Sequence, residues 1–234
     1  MKLYNADIIH FSLCLNKNPM TKLVIFDLDG TLLDTIDDLA HSANYALELH
    51  HYPTHPVEAY RFFVGNGMNK LIERALPETD RLPETIQQVK SDFMKYYTAH
   101  STEFTHPYPG ITELLEQLAQ RGISIAVASN KVHPATEQLI KRFFPHIKFD
   151  VVLGQREDFP TKPDPAIVDE ILTRTGITRE ETLYVGDSGV DMTTAQNAEV
   201  KAVAVLWGFR PKAELEAKGA TRFAETAEEV MRFL

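Results

Sequence analysis

Short runs of apolar residues recur along the chain, and segments with helical periodicity separate them. The apolar runs are residues 23–26, 123–128, 151–153, 183–185 and 202–206. These runs lack the alternation of a half-exposed strand, so they are typical of parallel strands covered on both faces. The helical segments are residues 111–120, 134–143, 190–197 and 227–233, and one that starts at Pro163 or Pro165. The alternation predicts an α/β fold with a doubly wound, Rossmann-like parallel sheet.

The alternation is interrupted between the first predicted strand and the second. Residues 37–106 contain no convincing strand, and apolar residues recur there with helical spacing. The helical stretches are residues 39–47, 68–75 and 85–98. Pro107 marks the return to the alternating pattern. We therefore expect an all-helical cap at residues 37–106, inserted into a Rossmann-like core formed by residues 20–36 and 107–234.

The first 19 residues differ from the rest of the chain. Their apolar patch at residues 8–15 is interrupted by His10 and Ser12, which does not fit a secretory signal. Met20 directly precedes the first predicted strand. We expect residues 1–19 to be an N-terminal extension that the fold does not need.

Composition narrows the classes of partner. The 234 residues include 24 Lys and Arg against 33 Asp and Glu, a net charge of −9 with His neutral. A negative balance argues against nucleic-acid and anionic-membrane binding, because phosphate backbones attract positively charged surfaces. The single cysteine, Cys14, excludes an intramolecular disulfide and a cysteine-based zinc cluster. We expect a cytoplasmic protein, because a reducing compartment fits this cysteine usage.

Two acidic residues follow the first predicted strand. Asp27 and Asp29 lie two positions apart, and Gly30 permits a tight turn directly after them. Ligands bind open α/β sheets at the carboxyl ends of the strands, where such a pair can share a divalent cation. Turn chemistry is the alternative interpretation, since Asp and Gly are common where strands end.

Three later strands end in polar residues as well. Ser129 follows the second strand, Lys162 lies beyond the third, and Asp187 and Asp191 follow the fourth. Taken singly, the serine and the aspartates could cap helices, and the lysine could be solvated. Together they predict one site at the sheet edge. Clustered carboxylates repel one another without a cation, and their oxygen ligands favour Mg²⁺ over a softer metal.

The order of these segments resembles the four motifs of the haloacid dehalogenase-like hydrolases. The matching segments are Asp27-x-Asp29-Gly30-Thr31, Ser129-Asn130, Lys162-Pro163 and Gly186-Asp187-x-x-x-Asp191. The resemblance extends from about Thr21 to the C-terminus. Residues 64–67, followed by residues 72–76, are similar to the phosphoglycolate phosphatase branch of that family, and so are residues 207–209.

The resemblance implies a role for each of these residues. Asp27 would be the nucleophile that forms an aspartyl phosphate, and Asp29 would be the general acid and base. Lys162 would balance the charge of the nucleophile and the phosphate. The implied substrate-binding residues are Thr31, Ser129, Asn130, Gly65, Asn66 and Gly67. The implied metal ligands are Asp27, Asp29, Asp187 and Asp191, with Asp29 binding through its backbone carbonyl.

The resemblance therefore implies a Mg²⁺-dependent phosphatase that hydrolyses a small phosphorylated metabolite, with 2-phosphoglycolate as the first expectation. We expect the protein to be a monomer or a homodimer. A sugar phosphomutase of the β-phosphoglucomutase type is the alternative enzyme, and product analysis separates the two. A phospho-accepting signalling module, similar to response-regulator receivers, is the alternative from another class. Such a module needs only about half of this length and has no helical insertion.

Overall fold

The computed structural model describes residues 20–234, so the predicted extension at residues 1–19 lies outside the described residues. The strands are β1 (Leu23–Phe26), β2 (Leu33–Asp34), β3 (His106–Pro107), β4 (Ser124–Val132), β5 (Val151–Gln155), β6 (Thr182–Gly186), β7 (Lys201–Val205) and β8 (Phe223–Ala224). The α-helices are α1 (Ile36–Leu49), α2 (Val57–Phe63), α3 (Met68–Ala75), α4 (Pro83–His100), α5 (Ile111–Gln120), α6 (His133–Phe143), α7 (Ala166–Thr175), α8 (Gly189–Asn197), α9 (Lys212–Ala217) and α10 (Ala227–Val230).

Six of the strands form one parallel sheet in the order β5-β4-β1-β6-β7-β8. The strand β1 is central, and the chain adds strands first on one side of it and later on the other. This reversal of strand order creates a crevice at the carboxyl ends of the strands. The doubly wound parallel sheet predicted from the sequence is confirmed.

Both faces of the sheet are buried, as the continuous apolar runs predict. Along β1, Val24 and Phe26 face a cluster that includes Leu114 of α5. The alternate residue Ile25 faces the opposite cluster, which includes Ile171 of α7. A strand with a period of two can satisfy both clusters only if all of its positions are apolar.

The helices α1 to α4 form a separate helical block with its own hydrophobic cluster. Leu47, Ile72 and Phe93 are fully buried or nearly so within this cluster. The short antiparallel pair of β2 and β3 lies where the chain enters and leaves the block. One member of the cluster, Phe209, comes from the loop that follows β7, so the block and the sheet share a contact far from the chain connections.

The structure adds elements to those predicted. The helix α2 lies directly after Pro56, between the predicted helical stretches at residues 39–47 and 68–75. The helix α9 was not predicted, because its sequence has almost no apolar stripe and the helix buries only Leu215. The strand β4 continues four residues beyond the predicted end at residue 128, because polar residues there are buried as well. No helix within residues 20–234 combines the length and the apolar character needed to cross a bilayer.

Candidate active site

The register of the central strands brings the predicted site residues together. Phe26, the last residue of β1, pairs with β4 on one side and with β6 on the other. Asp27 therefore leaves the sheet at the same level as the residues before Ser129 and Asp187. Strand pairing alone places these three polar side chains at one edge.

The ammonium group of Lys162 lies at the centre of a buried network. Its Nζ is 2.9 Å from Oδ1 of Asp27 and 2.7 Å from Oδ1 of Asp191. It also donates to the carbonyl of Ala128 at 2.9 Å and to the hydroxyl of Tyr184 at 3.1 Å. Burial by itself lowers the pKa of Lys162, but the two carboxylates outweigh it and raise the pKa well above its usual value. Lys162 is therefore a fixed positive charge.

The carboxylate of Asp187 is held by the loops on either side of it. Thr31 donates from its hydroxyl to Oδ1 at 3.2 Å, and the backbone N–H of Phe209 donates to Oδ2 at 2.7 Å. A Cβ atom at Gly30 or at Gly208 would collide with the side chain of Asp187. Both glycines therefore permit the close approach of backbone to this carboxylate.

Asp191 lies in the first turn of a helix, whereas Asp27, Asp29 and Asp187 lie in loops that follow strands. It is the third residue of α8 and forms a reciprocal capping box with Ser188, accepting the backbone N–H of Ser188 at 3.1 Å on Oδ2. Its Oδ1 accepts from Lys162 and from the hydroxyl of Tyr184, the latter at 3.1 Å. Both oxygens of Asp191 are therefore already engaged by the protein.

Asp27, Asp187 and Asp191 form a buried acidic cluster whose ligand atoms all lie within 4.8 Å of one another. Burial, followed by the charge of Asp191, raises the pKa of Asp27 to about 7. The same two causes raise the pKa of Asp187 well above its usual value. Three carboxylates against the one ammonium of Lys162 leave two negative charges when all are ionised. The all-oxygen donor set and this excess charge fit a hard divalent cation.

Asp29 lies outside that cluster and is paired with a second buried lysine, which sequence reasoning missed. The Nζ of Lys131 is 3.0 Å from Oδ1 and 3.2 Å from Oδ2 of Asp29. The hydroxyl of Thr35 donates to the same Oδ1 at 2.8 Å. One signal could have found Lys131: in a strand with a period of two, residues 129 and 131 share a face, so Lys131 follows Ser129 toward the site.

Asn130 joins three segments through its side chain. Its amide Nδ2 donates to the carbonyls of Lys162 and Gly65, each at 3.0 Å, and its Oδ1 accepts the backbone N–H of Lys162 at 2.9 Å. The bond to Gly65 crosses from the sheet to the helical block. Asn130 therefore fixes the loop of Lys162 and the cap loop, residues 64–67, with the same group.

A small cavity of about 40 Å³ lies between the sheet edge and the helical block. Its lining residues are Asp27, Asp29, Leu39, Val64, Gly65, Gly67, Met68, Leu71, Ser129, Asn130 and Lys131. The sheet edge supplies the polar and charged groups, and the helices supply the apolar ones. The cavity can therefore receive the polar end of a small molecule at the sheet and shield it from water with the helices.

Two predicted substrate-binding residues lie elsewhere. Thr31 is fully buried outside the cavity lining, and its hydroxyl is used by Asp187. The side chain of Asn66 accepts a hydrogen bond from Arg74 at 2.8 Å within the helical block, so it shapes the cap loop and does not line this cavity. Neither side chain lines this cavity, and the expectation that both residues bind the substrate stays a prediction.

Known proteins with similar sequences and structures point in one direction. The family model described as haloacid dehalogenase-like hydrolase matches residues 24–205. The phosphoglycolate phosphatase of Aliivibrio fischeri is 32% identical over 193 residues, which cover 80% of this chain and 85% of that protein. The phosphoglycolate phosphatase of Pseudomonas syringae pv. tomato is 36% identical over 207 residues, covering 83% of this chain and 74% of that one.

A solved structure from Lactobacillus delbrueckii subsp. bulgaricus, proposed to be a phosphoglycolate phosphatase, superposes with a TM-score of 0.86 at 33% identity. The match covers 92% of this chain and 98% of that one. The similarity therefore includes the helical block as well as the sheet.

Proposed function

The chain belongs to the haloacid dehalogenase-like hydrolases, and we propose that it is a Mg²⁺-dependent phosphatase acting through an aspartyl phosphate. The substrate is a small phosphomonoester, with 2-phosphoglycolate as the first candidate. Two relatives that are 32% and 36% identical and carry the name phosphoglycolate phosphatase support this choice.

The position of Asp27 is the observation that carries the proposal. Within residues 20–234, the contacts that hold its carboxylate both end on Oδ1, from Leu28 N at 2.7 Å and from Lys162 Nζ at 2.9 Å. The side chain borders the cavity. One oxygen is therefore anchored, and the other is left to attack a phosphorus atom in the cavity.

The proposed reaction has two steps. Oδ2 of Asp27 bonds to phosphorus while the ester oxygen departs and takes a proton from the carboxyl group of Asp29. The carboxylate of Asp29 then takes a proton from water, whose oxygen attacks the same phosphorus. The bond between phosphorus and Asp27 breaks, and inorganic phosphate leaves. Ser129 and the backbone N–H of Asn130 hold the phosphoryl oxygens during both steps.

The acidic cluster is the proposed metal site. The side chains of Asp27 and Asp187 and the backbone carbonyl of Asp29 would hold Mg²⁺. Asp191 would contribute its negative charge and the orientation of Lys162, because its oxygens are already engaged. When bound, the cation supplies positive charge beside the phosphoryl oxygens. The positive charge of Lys162 offsets part of the remaining negative charge. The carboxylate of Asp27 and the phosphate, which are both anionic, can therefore approach each other.

We also propose that residues 37–106 act as the cap and that residues 20–36 and 107–234 form the catalytic core. The cap supplies the apolar wall of the cavity through Leu39, Val64, Met68 and Leu71. An apolar wall keeps bulk water away from the aspartyl phosphate.

A panel of phosphorylated metabolites, assayed for phosphate release with and without Mg²⁺, tests the proposal. The full-length protein should release phosphate from 2-phosphoglycolate only with the metal, and Asp27→Asn should abolish the release. Asp158→Asn is the matched control, because Asp158 is exposed and lies outside the cavity lining. Sugar-phosphate interconversion without phosphate release, or full turnover by Asp27→Asn, would contradict it.

A further inference from the structure

Two buried ammonium groups contact the Asp27–Asp29 segment, each at a different carboxylate. Lys162 contacts Asp27, whereas Lys131 contacts Asp29. Under the proposed function, Asp27 attacks phosphorus and Asp29 protonates the departing oxygen. Lys162 therefore serves the phosphoryl group, and Lys131 lies on the side of the leaving group.

The surroundings of Lys131 favour an anionic ligand. Its side chain is 1% exposed, yet it belongs to the wall of the cavity. Among the lining residues in the described part of the chain, Lys131 is the only cation. The opposite wall is apolar. An ammonium group in such a setting gains most from a second negatively charged partner, because water cannot solvate it there.

A second group near Lys131 has an unused hydrogen-bonding capacity. The ring of Tyr97, on α4 of the cap, has its centroid 4.9 Å from Nζ of Lys131. The hydroxyl of Tyr97 is buried and has no acceptor for its proton within residues 20–234. Buried hydroxyl groups are nearly always paired in folded proteins. A ligand oxygen that accepts from Lys131 could also accept from Tyr97.

We propose that Lys131 and Tyr97 form a carboxylate subsite that selects the leaving group. The favoured substrates are then phosphate monoesters of short hydroxy acids, in which the carboxylate lies close to the ester oxygen. The inference rests on the proposed function, because the role of Asp29 identifies the leaving-group side. It assigns to Lys131 a specificity role that the resemblance does not supply.

The test compares two esters of similar size, 2-phosphoglycolate and ethyl phosphate, which has no carboxylate. Lys131→Met should lower kcat/KM for 2-phosphoglycolate roughly 100-fold more than for ethyl phosphate. Tyr97→Phe should lower it about 3-fold to 10-fold in the same selective manner. Thr35→Val is the matched control, because it removes the other contact of Asp29 without changing charge. It should affect both esters equally.

Equal losses on both esters in Lys131→Met would overturn the subsite, because Lys131 would then act only through Asp29. Lys131→Gln repeats the comparison if the methionine variant does not fold. Binding of glycolate alone, followed by calorimetry without turnover, separates this inference from the proposed function. If the protein hydrolyses no phosphomonoester but loses glycolate affinity in the lysine variants, the subsite stands and the phosphatase fails. If the unmodified protein neither hydrolyses a phosphomonoester nor binds glycolate, the subsite is overturned.

Discussion

The two buried lysines of the site have nearly the same exposure but very different surroundings. Lys162 has four acceptors, all supplied by the core: Asp27, Asp191, Tyr184 and the carbonyl of Ala128. Lys131 has a single carboxylate partner and one aromatic ring from the cap. A fully partnered ammonium holds a catalytic framework in place. An ammonium with one partner beside a cavity can still recognise a ligand.

The charge balance differs in the same way. Around Lys162 the carboxylates outnumber the ammonium, and burial with mutual repulsion raises the pKa values of Asp27 and Asp187. Around Lys131 one ammonium faces one carboxylate. Burial alone lowers the pKa of Lys131, but Asp29 outweighs it and raises that pKa above its usual value. The first region therefore calls for a cation, and the second is electrically balanced until a substrate enters.

The largest difference between the two regions is expected when each lysine is replaced in turn. Lys162→Met leaves Asp27 and Asp191 buried without their partner, which should cost about 3–5 kcal/mol of unfolding free energy and nearly all activity. Lys131→Met should cost less, about 1–3 kcal/mol, because it leaves one carboxylate without its partner and not two. Denaturant unfolding without added metal measures both. Equal losses would remove the distinction between the two lysines.

A larger residue beside the proposed metal site should weaken Mg²⁺ binding and leave the surroundings of Lys131 unchanged. A Cβ atom in Gly208→Ala would collide with Asp187 and with the carbonyl of Gly30. We expect roughly a 10-fold to 100-fold loss of Mg²⁺ affinity, measured by titration calorimetry. Gly122→Ala is the control for a loss of stability alone, since its φ of +70° strains an alanine while its Cβ would meet nothing within 4 Å. An equal loss in the control would contradict the account.

The acidic cluster should also make stability depend on pH in an unusual direction. The pKa of Asp27 is raised from 3.8 to about 7 in the fold. Between these values the folded state holds a proton that the unfolded state has released. Stability of the metal-free protein should therefore fall as pH rises from about 4 to about 7. Above pH 7, Mg²⁺ should raise the melting temperature again, because the cation replaces the proton on Asp27.

The control for this pH dependence is Asp27→Asn, which has no carboxylate to titrate and should show a flatter profile. Thermal unfolding across the pH range, with and without Mg²⁺, provides the measurement. A stability of the metal-free protein that rises steadily from pH 4 to pH 7 would contradict the strained acidic cluster.

The smallest effect is expected at the hinge of the cap. The buried carboxylate of Asp38 accepts the backbone N–H groups of Phe104 and Thr105, at 3.0 Å and 2.8 Å, and the hydroxyl of Thr105 at 2.6 Å. Asp38→Asn should cost about 1–2 kcal/mol of stability and raise KM a few-fold. Because only the cap is loosened, Mg²⁺ affinity should not change. A loss of metal affinity in steady-state titrations would show that the two regions are coupled.

The sequence was sufficient to predict the sheet and the acidic edge. Each apolar run ends near a polar residue, and parallel strands bring their carboxyl ends to one edge, so Asp27, Ser129 and Asp187 could be placed without coordinates. The fold class and the family are confirmed. The roles of the site residues and the boundaries of the cap stay predictions.

Other features depend on packing between distant segments. The bond from Asn130 to Gly65 joins residues that no local pattern connects. The direction of Thr31 is set by Asp187, which lies 156 positions away. Lys131 was missed because β4 continues beyond its apolar run, so that a lysine occupies a strand position facing the site. Periodicity predicts elements well, but it does not determine which polar side chains share a partner.

The central claim is that Asp27 takes up the phosphoryl group. Rapid acid quenching during turnover of 2-phosphoglycolate with Mg²⁺, followed by peptide mass spectrometry, tests it most directly. We expect one phosphoryl group on the peptide that contains Asp27. Turnover that leaves Asp27 unmodified, or a phosphoryl group on another residue, would contradict the account.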